Sequence, residues 1–208
     1  MSGSWSCGRA RSTVIGIGCD LRGDDAAGPA VVRLLQGSPA SAHVELVVAA
    51  QPIDAIDHWA GACLAVVVDS VVSGEPPGTI HCFDGASEGM WCEARTHPGT
   101  HGLGLAEAMQ IGRALGRTPD RLVVIGIEGS EYGHGTPMSA EVAAAVEAAA
   151  ERIRRALEAP AVAESAARIL GGDGRMRQAL RSASITREAA TGTAAATSGD
   201  KRSENVFT

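Results

Sequence analysis

Four side chains have the types and spacing to do chemistry together: Asp24, Asp25, Asp69 and His101. Asp24 and Asp25 are adjacent in a glycine-rich stretch that runs Gly16-Ile17-Gly18-Cys19-Asp20-Leu21-Arg22-Gly23-Asp24-Asp25-Ala26-Ala27-Gly28. Asp69 stops the apolar run 63–68, and His101 opens Thr100-His101-Gly102-Leu103-Gly104-Leu105. Two carboxylates and an imidazole form an O,O,N donor set suited to a borderline divalent ion. Each residue also has a plainer reading. An Asp at the mouth of a helix caps its free N–H groups and favours the positive end of its dipole. Asp69 can cap a turn with Ser70, and His101 can cap the helix it precedes. One capping Asp accounts for one carboxylate; two side by side repel each other and call for a cation.

The elements around these residues put them on one edge. Residues 13–15 read as a buried strand, and Ala27, Ala30, Val31, Leu34 and Leu35 fall at the spacing of one helical face, with Pro29 in the first turn. Residues 44–48 form a second strand, and 53–59 a short helix. Residues 63–68 are continuously apolar, which predicts a central parallel strand covered on both faces. Residues 79–83 form a short strand at an antiparallel edge. A helix follows over 103–115, with Leu105, Ala108, Met109, Ile111 and Leu115 inward. Residues 122–127 give another buried strand ending at Glu128, and Ser139 caps a long alanine-rich helix to about residue 157. Strands alternating with helices predict a three-layer α/β/α sandwich with a mostly parallel twisted sheet. In such a sheet the loops leaving the strands open on the edge where open α/β folds keep their sites.

Composition narrows the function. The chain has 208 residues and 45% hydrophobic content but only 3% aromatics, so its core is built of Val, Leu, Ile and Ala. The predicted domain spans 12–159. Beyond it, 160–208 shifts to Ala, Ser, Thr, Gly and Arg, with helical turns available at 166–170 and 176–180, and reads as a mostly disordered tail. The net charge of −6 argues against a nucleic-acid partner. No apolar run is long enough for a bilayer and residues 1–11 lack a secretory h-region, so the expectation is a cytoplasmic protein without a membrane partner.

Five cysteines without a C-x-x-C pair predict neither a disulfide framework nor a zinc knuckle, and Cys63 reads as a small core residue. Gly16-x-Gly18 is not a dinucleotide fingerprint, because Leu21 stands where the third glycine belongs and two carboxylates would repel a pyrophosphate. There is no phosphate-binding G-x-x-x-x-G-K-[ST], no G-x-S-x-G elbow and no H-E-x-x-H helix. Cys19 beside His101 is a weak nucleophile, since neighbouring carboxylates raise a thiol's pKa.

In four pieces the chain resembles the hydrogenase maturation endopeptidases, which process the large subunit of nickel–iron hydrogenase. These are Val14-Ile15-Gly16-Ile17-Gly18 with Leu21-Arg22-Gly23-Asp24-Asp25-Ala26-Ala27-Gly28; Val67-Val68-Asp69-Ser70-Val71 with Pro77-Gly78-Thr79; His101-Gly102-Leu103-Gly104-Leu105; and Val124-Ile125-Gly126-Ile127-Glu128 with Thr136-Pro137. They occur in the family's order over 13–157. The resemblance implies a twisted sheet between helices and a metal held by Asp25, Asp69 and His101. It further implies that this metal is nickel supplied by the substrate, the hydrogenase large-subunit precursor, whose C-terminal peptide is removed after nickel insertion. Two departures stand out: Cys19 where the family usually has Asn, and Ala50-Gln51-Pro52 where it tends to show a Gly-Gly-Thr turn. A thiol at that place would add a soft ligand. Two other functions fit the same residues, a non-catalytic nickel-binding assembly factor and a metal-dependent small-molecule hydrolase.

Overall fold

The computed structural model describes residues 11–85 and 104–158, together with Ala166 and Ile169. The sheet has five strands: β1 (Ser12–Ile17), β2 (Val44–Ala49), β3 (Leu64–Val71), β4 (Ile80–Asp84) and β5 (Leu122–Glu128), in the order β2-β1-β3-β5-β4. β2, β1, β3 and β5 run parallel, and β4 closes the far edge antiparallel to β5. All eight residues of β3 are buried, as the continuous apolar run requires of a strand covered on both faces. The strand continues three residues further than the sequence suggests, to Val71. Asp69 and Ser70 are not the start of a loop but lie inside β3, where Asp69 pairs with Gly126 and Ser70 with Ile127.

Alternation of side chains divides the apolar residues between two layers. Val14, Val66, Val68, Val123 and Ile125 form a core with α1 (Ala27–Leu35) and α4 (Ala140–Leu157). Their neighbours Ile15, Val67 and Val124, in register across β1, β3 and β5, point the other way. On that face lie α2 (Ala55–Trp59), packed against β1, and α3 (Leu105–Ala114), packed against α2. The expected α/β/α sandwich is therefore present. The predicted boundary at residue 159 falls short of the core, since Ala166 and Ile169 are buried against α4's layer. The rest of 160–208 lies outside the described residues.

Two helices bury most of the stripe that hydrophobicity suggests, Ala27, Val31 and Leu35 in one and Leu105, Ala108 and Met109 in the other, but each is rotated toward a glycine. In α1 the buried residues are Ala27, Gly28, Pro29, Val31, Val32 and Leu35, whereas Ala30 is half-buried and Leu34 is 44% exposed. The contact is made at Gly28: a Cβ there would stand 2.4 Å from the Ile17 carbonyl oxygen and 2.6 Å from that of Val68. In α3, Gly112 is buried against Trp59, while Ile111 is half-buried and Leu115 ends the helix 63% exposed. A glycine carries no hydrophobic signal, yet its missing side chain lets backbone approach backbone. Cys63, expected in the core, is half-buried just before β3. The cap expected at α4 is present, with Val142 N–H donating to Ser139 Oγ at 3.4 Å.

Gly28→Ala forces a methyl into the β1 and β3 backbones, so it is expected to lower the unfolding free energy by about 2–3 kcal/mol. A urea midpoint unchanged by the substitution would show that α1 can slide off the sheet without cost.

Candidate functional site

The site is built where β1 ends. Gly18 (φ +135°) turns the chain back so closely that a Cβ would lie 1.9 Å from the Asp25 carbonyl oxygen. Gly23 (φ +55°) does the same against the loop after β5, where a Cβ would lie 2.3 Å from the Glu131 carbonyl oxygen. The two loops are then laced by backbone hydrogen bonds: Gly23 N–H to Thr136 O at 3.2 Å, Asp24 N–H to Glu131 O at 2.7 Å, and Gly135 N–H to Leu21 O at 2.7 Å.

This lacing separates the two adjacent carboxylates. Asp24 is fully buried and accepts from Ser130 N–H and Glu131 N–H at 2.9 Å and from Ser139 N–H at 2.7 Å. It does not cap the first helix, as the sequence suggested. The 3-10 turn Gly23–Ala26 and α1 both start without a side-chain cap. The reason is steric: Gly23 turns the next residue inward, under the loop after β5. Asp25 is half-buried, and its Oδ2 accepts from Cys19 N–H at 3.0 Å.

Asp69 projects from β3 on the α2/α3 face and is 5% exposed. Burial, reinforced by the charge of Asp25, pushes its carboxyl up to about 8, against one backbone hydrogen bond at Ser70. The charge of Asp25 is thus felt at Asp69. His101, the third expected ligand, lies outside the described residues. α3 starts at Leu105 and leads back toward β5, so its amino end is directed to the edge where β1 and β3 finish. Among the described residues, no group of three His, Cys, Asp or Glu is arranged to hold a metal.

A second acidic centre went unread in the sequence. Glu128, at the end of β5, is 1% exposed. Its Oε1 accepts from Ser73 N–H at 2.7 Å and Gly74 N–H at 2.8 Å, and its Oε2 from Ser73 Oγ at 2.8 Å. His81 Nε2 lies 3.3 Å from Oε2, itself buried on β4. Burial alone would raise the pKa of this carboxyl, but the His81, Ser73 and Gly74 donors outweigh it and hold it below the usual range. The three backbone donors do the same for Asp24. The signal in sequence was His81 inside an apolar strand, paired across β4 and β5 with Gly126. Tyr132 donates its hydroxyl to the Val71 carbonyl at 3.3 Å. Burial leads the causes that push this hydroxyl up to about 12, so it stays protonated.

These shifts have opposite signs for stability. Asp24 and Glu128 titrate lower in the folded protein than unfolded, so their contribution is present near neutrality and lost as pH falls into the acid range. Asp69 titrates higher, near 8, against about 4 unfolded. The folded protein therefore holds a proton that the unfolded chain has released, and stability declines as pH rises through that window. Asp69→Asn is expected to flatten the decline when urea midpoints are followed from pH 5 to 9. Asp24→Asn turns an NH2 group toward backbone donors and is expected to cost about 3 kcal/mol at neutral pH, well above a lost helix cap.

The profile of the hydrogenase maturation protease family, HycI, matches residues 29–156, more than half of the chain. Among solved structures, the chain is similar to the maturation protease HycI from Thermococcus kodakarensis KOD1, at 25% identity and a TM-score of 0.57, over 74% of this chain and 96% of that one. It is also similar to the hydrogenase maturating endopeptidase HybD from E. coli, at 25% identity and a TM-score of 0.59, over 71% and 91%. A third, HybD from Thermococcus kodakarensis, gives 25% identity and a TM-score of 0.56, over 71% and 99%. No curated protein sequence matches the chain. With a family profile covering most of the described domain and the same fold in the family's endopeptidases, the chain belongs to the hydrogenase maturation protease family.

Proposed function

We propose that the chain is an endopeptidase that removes the C-terminal extension of a nickel–iron hydrogenase large-subunit precursor after nickel has been inserted. In this reading Asp25, Asp69 and His101 recognise the nickel that the substrate brings, so cleavage is metal-dependent while the free enzyme needs no resident ion. The observation that carries it is the meeting of Asp25 and Asp69 at the carboxyl edge of the sheet, where burial and like charge push Asp69 up to about 8. Such a pair is unfavourable in isolation and favourable around a cation, whose charge inverts the local pKa logic. Membership of the family supports the reaction, and the resemblance at His101-Gly102-Leu103 supports the third ligand.

The roles of the side chains follow from their surroundings. Asp25 is half-buried and held by Cys19 N–H, which suits it to orient what enters. Asp69 sits deeper, dry and within the rigid β3, and must give up its proton before it can act as a ligand. The nickel supplies positive charge that polarises an oxygen bound to it. Asp24 and Glu128 hold the loops around this place without reaching it, and Tyr132 covers it as a neutral donor. No described helix is long and apolar enough to cross a membrane, and we infer a cytoplasmic site of action, where the precursor is made.

Incubating the protein with nickel-loaded and nickel-free precursor, and weighing the product by mass spectrometry, tests the proposal. The mass of the extension should be lost from the loaded precursor alone. Asp25→Asn, Asp69→Asn and His101→Ala should each abolish processing while circular dichroism remains that of the wild type. Cys19→Ser should still cleave. If Cys19→Ser stops cleavage and the other three do not, this is a cysteine enzyme.

A further inference from the structure

The sheet ends in two edge strands, β2 and β4, and they are covered differently. In β4, His81 and Phe83 are buried. In β2, Glu45 and Val48 are exposed and Val44, Leu46 and Val47 are half-buried, leaving only Ala49 covered. Gly18 N–H donates to the Ala49 carbonyl at 3.1 Å, so the backbone groups of Ala49, and by alternation those of Val47 and Glu45, point toward β1. The N–H and C=O groups of Val44, Leu46 and Val48 therefore point outward. Among the described residues no strand or loop pairs with them.

An open edge is normally blunted by Lys, Pro or a bulge. Val44-Glu45-Leu46-Val47-Val48-Ala49 has one charge, Glu45, and that is paired with His58 Nδ1 at 3.3 Å. Val48 remains 49% exposed at the end nearest the site. The edge also leads somewhere. Gly18 holds the end of β2, and the next residue, Cys19, donates to the Asp25 carboxylate. Leu21, in the same loop, is 59% exposed. A strand added outside β2 would lie about 10 Å from β1, about three residues' reach from the loop that follows it. β4 has none of this, since it lies on the far side of β5 from the β1 loop.

The geometry points to the open edge of β2 as the track that receives the substrate's C-terminal extension as an added strand. This rests on the reading of the chain as the endopeptidase that removes that extension. A peptide bond is cut in an extended chain, and the removed segment is the free end. The body of the substrate stays beyond the carboxyl edge of the sheet, so the extension runs down β2 in the opposite direction to it. The antiparallel strand then satisfies the outward groups of Val48, Leu46 and Val44 in turn, with Leu21 and Val48 offering apolar contact at its start.

The test separates main-chain pairing from side-chain contact. Val48→Pro removes one outward N–H at an edge position where proline is tolerated, and Val48→Ala keeps that N–H. With nickel-loaded precursor, Val48→Pro should raise KM about tenfold, the effect expected for one lost hydrogen bond, while Val48→Ala stays within about twofold. In parallel, amide exchange is followed with a synthetic peptide of the extension sequence. The Val44, Leu46 and Val48 amides should slow when the peptide is added, which remains readable if Val48→Pro fails to fold. Wild-type protein that cleaves while these amides exchange unchanged overturns the track and leaves the endopeptidase reading standing. Wild-type protein that does not cleave overturns the endopeptidase reading, and exchange with the peptide alone still decides the track. Slowing of the same amides without peptide, growing with protein concentration alongside a doubled mass, assigns the edge to a second copy of the chain and also overturns it.

Discussion

A fully buried carboxylate, Asp24, takes three backbone N–H groups from a loop more than a hundred residues away, and this tie fixes how the ends of β1 and β5 meet. Burying a charge is costly unless it is satisfied, and a carboxylate with three short backbone donors is one of the few arrangements that offsets the cost. The same donors leave the loop little choice of conformation. Ser139, one of the three, is also the cap of α4, so a single side chain connects the β1 loop to the start of the longest helix. Asp25 inherits its position from this arrangement. With Asp24 turned in under the loop after β5, the following carboxylate is left half-buried.

Three carboxyl groups at one sheet edge end up in different charge states for reasons visible in their partners. Asp24 and Glu128 are surrounded by donors and are held below their ordinary range. Asp69, as deeply buried, has one backbone donor and a like charge nearby, and is pushed up to about 8. Burial is common to all three; the donor count decides the sign. Glu128 also anchors the turn at Ser73 and Gly74 that leads out of β3. The residue beyond Asp69 is thereby fixed from one side and Asp25 from the other, and the two carboxylates have rigid backbones behind them.

Much of this was legible in the sequence. The four parallel strands, the antiparallel edge and the α/β/α layering follow from apolar runs, helical spacing and the rule that parallel strands open on one edge. What was not legible depends on contacts between distant segments. The inward turn of Asp24 requires the loop after β5, which no local pattern announces. The stripes of α1 and α3 were right at Ala27, Val31, Leu35, Leu105, Ala108 and Met109 but off at Leu34 and Leu115, because Gly28 and Gly112, the residues at closest approach, have no side chain to register. His81 and Glu128 find each other only through β4 and β5 pairing in register. Asp69 read as a strand's end because a carboxylate ordinarily terminates an apolar run, yet β5 pairs with it and carries the strand on to Val71.

The electrostatics of the site bear on how it would treat a metal. In the free protein the repulsion between Asp25 and Asp69 is relieved by a proton on Asp69, which burial makes hard to lose near neutrality. On the proposed reading, a cation held by both would have to displace that proton, so its binding would weaken as pH falls below about 8. Such a site would hold a free ion poorly and would gain from one delivered already coordinated, because the incoming complex would bring its own ligands and leave the protein only to complete them. On the proposed reading this is what distinguishes a loaded precursor from an unloaded one. Both present the same peptide to the enzyme, but only the loaded one carries the charge that makes two adjacent carboxylates favourable.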